Sequence, residues 1–389
     1  MSVSETQLYN DLLLIHASGV QPRVCHRLLA LFGDARAACH QFLAAQHGAT
    51  CGLKYAAALD LQKRLRDPSL QQWVEHDLAW LSLPGHCFIG LGSAAYPPLL
   101  REIDDPPIGL FCAGNLSIFR APKLAVVGSR HPTRYGQAVV QRLVGQLADL
   151  GLAITSGMAL GIDGLAHEAS LARGGATIAV LGTGPDQVYP PQHARLHAQI
   201  QEHGLIISEF PPGITAASHH FPQRNRLVTG LSLGTLVIEA RLKSGSLISA
   251  RLAMEQGREV FAVPGSVLSK LSEGCHQLLR DGAKLTAHVA DILEELPLDH
   301  QSVGSQAVSS QAVSSQAFCA QDSVACSEPL TPEQVRLLEV LDLEPQSPDR
   351  LAELLQVSAR ELIGGLVELE LLGLAQLGVD GYRLNQRWP

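Results

Sequence analysis

The 389-residue chain has little that would tie it to a membrane or to an oxidising compartment. No apolar run approaches the roughly 20 residues that a membrane-spanning helix needs. The first residues, MSVSETQLYN, hold no basic stretch ahead of an apolar one, so no secretory signal is read there. The eight cysteines, at 25, 39, 51, 87, 112, 275, 319 and 326, form no CxxC pair and keep no regular spacing. That scatter argues against a disulfide framework and for reduced, mostly buried thiols of a cytoplasmic protein. With 46% hydrophobic and 17% charged residues the chain is globular, and its length suggests two or three domains.

An excess of basic charge is also lacking. A net charge of −8 gives no general attraction to nucleic acid, but the deficit is local. Residues 291–389 hold 16 Asp and Glu against 5 Arg and no Lys, a net of −11. The first 290 residues hold 21 acids against 24 bases, a net of +3. Affinity for a polyanion must therefore come from a patch rather than from a global field.

Several catalytic signatures are missing too. No second glycine follows Gly128 until Gly136, and Gly182-Thr183-Gly184 lacks a third, so the dinucleotide fingerprint GxGxxG fails. Lys243-Ser244 ends no P-loop, because Val237 and Leu242 stand where GxxxxGK[ST] needs glycine. The run Gly245-Ser246-Leu247-Ile248-Ser249 breaks GxSxG. Asp163 and His167, at helical i, i+4 spacing, thus lack a nucleophile and read as a structural hydrogen bond. His193 and His197 have no acidic residue between or beside them, and no Cys/His cluster exists elsewhere. Neither a metal nor an organic cofactor is expected.

What is present is a change of rhythm along the chain. In residues 1–75, Leu12 to Leu14, then Val24, Leu28, Leu29, Leu31 and Phe32 recur at helical spacing, broken by Gly19 and Gly33. A small helical domain is expected. Residues 76–120, rich in Pro and Gly, read as a bridging segment. From 121 to 298, strands are expected at 123–127, 152–156, 177–181, 205–208, 235–240 and 259–263. Helices are expected between them, at 135–150, 162–172, 194–203, 224–230 and 247–256. This alternation predicts an α/β domain with a doubly wound, largely parallel sheet, whose ligands lie at the carboxyl ends of the strands. Residues 299–328 contain SQAVSSQAVSSQAF, a linker composition. Residues 329–389 carry helical patterns at 331–343, 348–355 and 359–372 and a hairpin at 373–384, as in a winged helix.

The polar motifs fall on loops at that carboxyl rim. Gly128, Ser129 and Arg130 follow a buried strand, where a tight glycine turns backbone N–H groups outward and Arg130 can fork two phosphate oxygens. Ser156, Gly157 and Gly161 join a strand to a helix. They either let the two elements approach closely or hold a phosphate at the helix N-terminus, and the sequence leaves both open. Phe221, Arg224, Asn225 and Arg226 place a flat ring beside two cations and an amide, and Lys243 and Ser244 make a second basic turn about twenty residues on. Together these fit a grip on phosphates with one base stacked on Phe221.

Those motifs keep a familiar order. GSR, SGMALGID (156–163), FPQRNR and FAVPGS (261–266), flanked by YPPLLREIDDPP (96–107) and GCHQLLRDGA (274–283), resemble the DNA-processing protein A family, also called Smf, over about half the chain. The resemblance implies a non-enzymatic single-stranded DNA-binding protein of natural transformation. Such a protein protects incoming strands, loads the recombinase RecA and displaces single-strand-binding protein. It also implies a homodimer formed through an extended Rossmann-like domain, a sterile-alpha-motif-like N-terminal domain and a C-terminal winged helix. On that reading Arg130, Arg224, Arg226 and Lys243 hold phosphates, and Asn225 orients the backbone or a base edge.

A second resemblance points to an enzyme. Gly234-Thr235-Leu236-Val237-Ile238-Glu239 is similar to the PGGxGTxxE signature of lysine-decarboxylase-like nucleotide phosphoribohydrolases. Here Gly230-Leu231-Ser232 replaces Pro-Gly-Gly and Glu239 comes one residue late, which turns it to the other face of its strand. The tail speaks against a duplex reader: 359–372 carries Arg360 against Glu361, Glu368 and Glu370. A protein-contacting or self-associating domain is expected there.

Overall fold

The computed structural model describes residues 3–44, 53, 55–297, 336–338, 340–341, 346–355, 357, 359–371, 374–378 and 381–384. The chain divides into two compact units, residues 1–132 with 139–304, and residues 305–389 with 133–138. The segment read as a linker, 299–328, lies outside the described residues.

Five helices open the first unit: α1 (Val3–Ser18), α2 (Pro22–Phe32), α3 (Ala35–Ala44), α4 (Tyr55–Leu65) and α5 (Ser69–Leu81). Gly19 and Gly33 follow the ends of α1 and α2 with φ of +66° and +88°, a left-handed conformation that a side chain disfavours. Among the described residues no helix is long and apolar enough to cross a membrane.

A nine-stranded sheet follows: β1 (His86–Gly90), β2 (Gly109–Gly114), β3 (Lys123–Gly128), β4 (Ala153–Ser156), β5 (Thr177–Leu181), β6 (Leu205–Ser208), β7 (Gly234–Ile238), β8 (Glu259–Ala262) and β9 (Lys284–Leu285). Its order is β1-β2-β6-β5-β4-β3-β7-β8-β9. The strands from β6 to β9 are parallel, while β2 runs antiparallel to β6 and β1 to β2. The last two come from the stretch that reads in sequence as a bridge. They extend the sheet at one edge. The helices between strands include α6 (Pro98–Arg101), α7 (Arg134–Asp149), α8 (Ile162–Ala172), α9 (Ala194–His203), α10 (His220–Gly230) and α11 (Gly245–Glu255), with α12 (Glu273–Arg280) and α13 (Val289–Leu293) beyond.

The apolar runs are continuous because both faces of the sheet are covered. In β5, Ile178 and Val180 join the core shared with Leu227 and Val228 of α10 and Ala250 and Ala253 of α11. The alternate residues Ala179 and Leu181 join the core built from α1 to α5 and from Leu196 and Ile200 of α9.

β3 is the pivot of this sheet. β4, β5 and β6 lie to one side of it and β7, β8 and β9 to the other. Connections therefore leave the carboxyl ends of β3 and β7 in opposite directions and open a crevice between them. The two strands meet closely there. A Cβ on Gly128 would stand 1.9 Å from the Ile238 carbonyl oxygen, so only glycine fits.

In the second unit, helices Pro348–Leu355 and Ala359–Leu371 and an antiparallel pair, Ala375–Gly378 with Gly381–Leu384, enclose a core that includes Leu351, Leu362, Leu366, Leu369 and Tyr382. Residues 336–338 and 340 are helical, and much of the expected helix 331–343 lies outside the described residues.

Candidate functional site

A cleft of about 800 Å³ opens at that crevice. It is lined by Val127 to His131 at the end of β3 and in the loop beyond it, by Arg241 and Lys243 to Ser246 after β7, and by Phe221, Arg224 and Asn225 of α10. Four cations, Arg130, Arg224, Arg241 and Lys243, share it with one carboxylate, Asp163. Arg130, Arg241 and Lys243 are exposed. The expected loops do converge on one rim.

The Arg130 loop is held from below. The Ser129 carbonyl accepts a 3.0 Å hydrogen bond from the Ile162 amide, and the Ser129 hydroxyl accepts one of 3.1 Å from the His131 amide. Gly161 lies under this loop at φ +82°, where an added Cβ would stand 2.3 Å from the Ser129 oxygen.

Helices α8 and α11 both begin near the cleft, and they differ in charge. At the N-terminus of α8 the carboxylate of Asp163 already sits in the first turn and accepts from the Ala159 amide at 3.4 Å. Ser156 is buried and donates to the Val126 carbonyl at 2.6 Å. Gly157 is covered by the Arg224 guanidinium, 2.6 Å from where a Cβ would be. The phosphate reading of Ser156, Gly157 and Gly161 is therefore corrected: the protein's own carboxylate takes the anion's place, and the glycines permit close packing. By contrast α11, which begins after Lys243 and Ser244, has no acidic residue in its first turn. Its dipole faces a cation-lined space without a built-in counterion.

The two arginines of the RNR run lie inside rather than on the rim. Arg224 is 3% exposed. Its guanidinium donates to the carbonyls of Gly157 and Val180, and its Nε to the Asn225 side chain at 3.3 Å. Burial pulls its pKa down to about 10, opposed by Asp163, so it stays charged at neutral pH. It lines the cleft as a fixed charge. Arg226, 5% exposed, donates to Glu209 and lies 3.5 Å from Asp105. Burial drives the Glu209 carboxyl up to about 7, with the Arg226 charge holding it down. Arg226 does not line the cleft, and the expectation that it holds phosphate is corrected: its charge is committed to carboxylates.

Phe221 is half-buried, and its ring lies 5.1 Å from that of Tyr189 at an interplanar angle of 34°. Tyr189 is 45% exposed and lines the same cleft. Sequence reasoning missed Tyr189, and it also missed Arg241. The signal for Arg241 was its i, i+2 spacing from Lys243 in the turn after β7. Tyr189 gave only a Tyr-Pro-Pro in a long loop.

The other candidates resolve as structure. His167 does not bond Asp163. Its Nδ1–H donates to the Thr177 hydroxyl at 2.7 Å, which itself donates to the Ile154 carbonyl at 2.9 Å. Full burial holds its pKa down at about 3, so it is neutral. His193 donates from Nδ1 to the Met158 carbonyl at 3.1 Å. Glu239 is buried just past β7 at φ +54° and is not among the cleft-lining residues.

Residues 87–297 match the family model described as DNA recombination-mediator protein A, and residues 321–378 match a DprA winged helix domain. Protein Smf of Escherichia coli is 38% identical over 355 residues, covering 91% of this chain and 92% of that protein. The DNA processing protein DprA of Streptococcus pneumoniae is 48% identical over 200 residues, covering 51% of this chain and 71% of that one. Its crystal structure superimposes with a TM-score of 0.60 at 37% identity, over 75% of this chain and 99% of that chain.

Proposed function

Because the chain belongs to the DNA recombination-mediator protein A family, we propose that its cleft binds single-stranded DNA, with no cofactor and no bond-making step of its own. One observation carries this: three exposed cations, Arg130, Arg241 and Lys243, line the same open cleft as the Tyr189–Phe221 ring pair. Cations along a backbone path give affinity without sequence choice, and rings stack any base that is free of its partner. Duplex DNA keeps its bases stacked, so the rings would have nothing to hold.

In this reading Arg130, Arg241 and Lys243 contact phosphates, and the start of α11 at Ser244 receives one. Gly128 and Ser129 shape the Arg130 loop, Arg224 supplies charge from below, and Asn225 orients it. The protein acts in the cytoplasm during DNA uptake and recombination, protecting the strand and loading RecA against single-strand-binding protein. It does so as a homodimer through the α/β domain. The domain division at 1–75, 76–120, 121–298, 299–328 and 329–389 remains our reading of how the chain is organised.

Anisotropy with a ~30-nucleotide labelled strand and its duplex, over a salt series, tests the proposal. Binding of the single strand well above duplex is expected, with little dependence on base sequence. Equal affinity for both at physiological salt would reject it.

A further inference from the structure

Cys87 and Cys112 stand directly opposite each other in the β1–β2 pair. The bonds Leu91 N–H to Ile108 O and Gly114 N–H to Gly85 O bracket the ladder at two-residue steps, which makes 87–112 one of its hydrogen-bonded pairs. Such pairs hold their Cα atoms about 5.5 Å apart. A disulfide needs Cα atoms roughly 4.4–6.8 Å apart, so the Cα spacing of such a pair is within its reach. Directly opposed residues also share a face, here the face of Ile89 and Leu110. We propose that Cys87 and Cys112 are a reversible thiol–disulfide pair, a modification site in which part-exposed Cys87 meets a peroxide and buried Cys112 resolves it.

The two positions differ in the way this chemistry needs. Cys87 is partly exposed and Cys112 is fully buried. The Cys112 thiol donates to the Leu110 carbonyl at 3.7 Å; its nearness lowers the Cys87 pKa, while burial raises that of Cys112. Cys87, the one of the two that solvent reaches, is the reacting sulfur. Its thiolate attacks one peroxide oxygen, the O–O bond breaks, and the departing hydroxide takes up the thiol proton as water. Cys112 sulfur then attacks the Cys87 sulfenic acid, the S–O bond breaks, the S–S bond forms, and a second water leaves with the Cys112 proton. Two thiols are oxidised and one peroxide is reduced to two waters. Of the other described cysteines, Cys25 and Cys39 are buried and pushed up to about 12, and Cys275 is buried and pushed up to about 11. They are poor competitors for the oxidant.

The test uses the full chain, reduced and then treated with a small excess of hydrogen peroxide, alkylated and digested. Loss of two alkylatable thiols per chain is expected, with a peptide linking 87 to 112 that dithiothreitol separates. In C112S the sulfenic acid has no resolving partner, so dimedone should label Cys87 where it does not in the parent chain. In C87S, which changes the part-exposed position and spares the core, neither the link nor the label should form. Absence of the 87–112 peptide, a link to another cysteine in its place, or equal dimedone labelling of Cys87 in the parent and in C112S would overturn the proposal.

Discussion

Arg226 closes its guanidinium on the carboxylate of Glu209, with both side chains almost wholly out of solvent. The pair lies two residues along α10 from Arg224, which faces the cleft, and a helix turns about 200° over that interval. One short run of sequence thus serves two faces. Removing Arg226 leaves Glu209 buried without its partner. R226A should lower the unfolding free energy by about 3 kcal/mol, read as an early thermal or denaturant midpoint. Its salt dependence of strand binding, measured below that midpoint, should match the parent. A reduced salt slope in the folded variant would return Arg226 to the phosphate contacts.

R130A, R241A and K243A should each weaken binding of a single strand. Each should also lower the magnitude of the log–log salt slope by about 0.7, the value for one phosphate contact on a single strand. The triple variant should lose the sum. A slope unchanged in any one of them removes that residue from the backbone path.

Substituting either ring should separate from this pattern. Y189A and F221A should each reduce affinity by about 1–3 kcal/mol, the contribution of one base stacked on an aromatic. The salt slope should hardly move, because no counterion is released by stacking. If F221A changed the slope as much as K243A does, Phe221 would be acting through the fold rather than on a base.

His167 makes stability depend on pH. Its pKa falls from 6.5 to about 3 on folding, so the unfolded chain binds the extra proton between those values. The stabilisation is complete above pH 6.5 and is lost as pH falls, by up to about 1.4 kcal/mol per pH unit. Asp11 and Glu209, raised to about 6 and about 7, act in the opposite sense over the same range. The variant is therefore compared with the parent: H167Q should flatten the loss between pH 6.5 and 4.5 in denaturant titrations. Parallel curves would show that His167 is not the group being protonated.

Ending the chain at Val303 should leave single-strand affinity within tenfold, about 1.4 kcal/mol, because the removed portion is acidic. A greater loss, from a truncated protein that is folded and in the same oligomeric state, would show that the tail grips DNA.

Much of the α/β domain was legible because burial on both faces writes strands as plain apolar runs. The helices at 162–172 and 194–203 and the strands at 177–181 and 205–208 agree with their sequence bounds. β1 and β2 were not legible: each is short and sits among Pro and Gly, and only pairing at the edge of the sheet makes them strands. Helix α10 begins at His220, four residues before its expected start, because Pro222 lies in the first turn, where proline is tolerated. In the site, the residue types could be read but not their orientation. Nothing near Arg226 in the sequence shows that Glu209, 17 residues earlier, meets it in the fold. Nor does Ser156-Gly157 reveal that Asp163 answers the α8 dipole from within.

That last arrangement has a consequence for how a chain of nucleotides would lie. Of α8 and α11, which both begin at the rim, one carries its own counterion and the other does not, and the ring pair adds a further difference between the two sides of β3. Such a cleft has no two-fold symmetry. A nucleic acid strand is itself directional, and turning it end for end would bring its bases and its sugars to the wrong partners. For a single strand held as proposed above, the two 5′-to-3′ senses would therefore not be equivalent in this cleft.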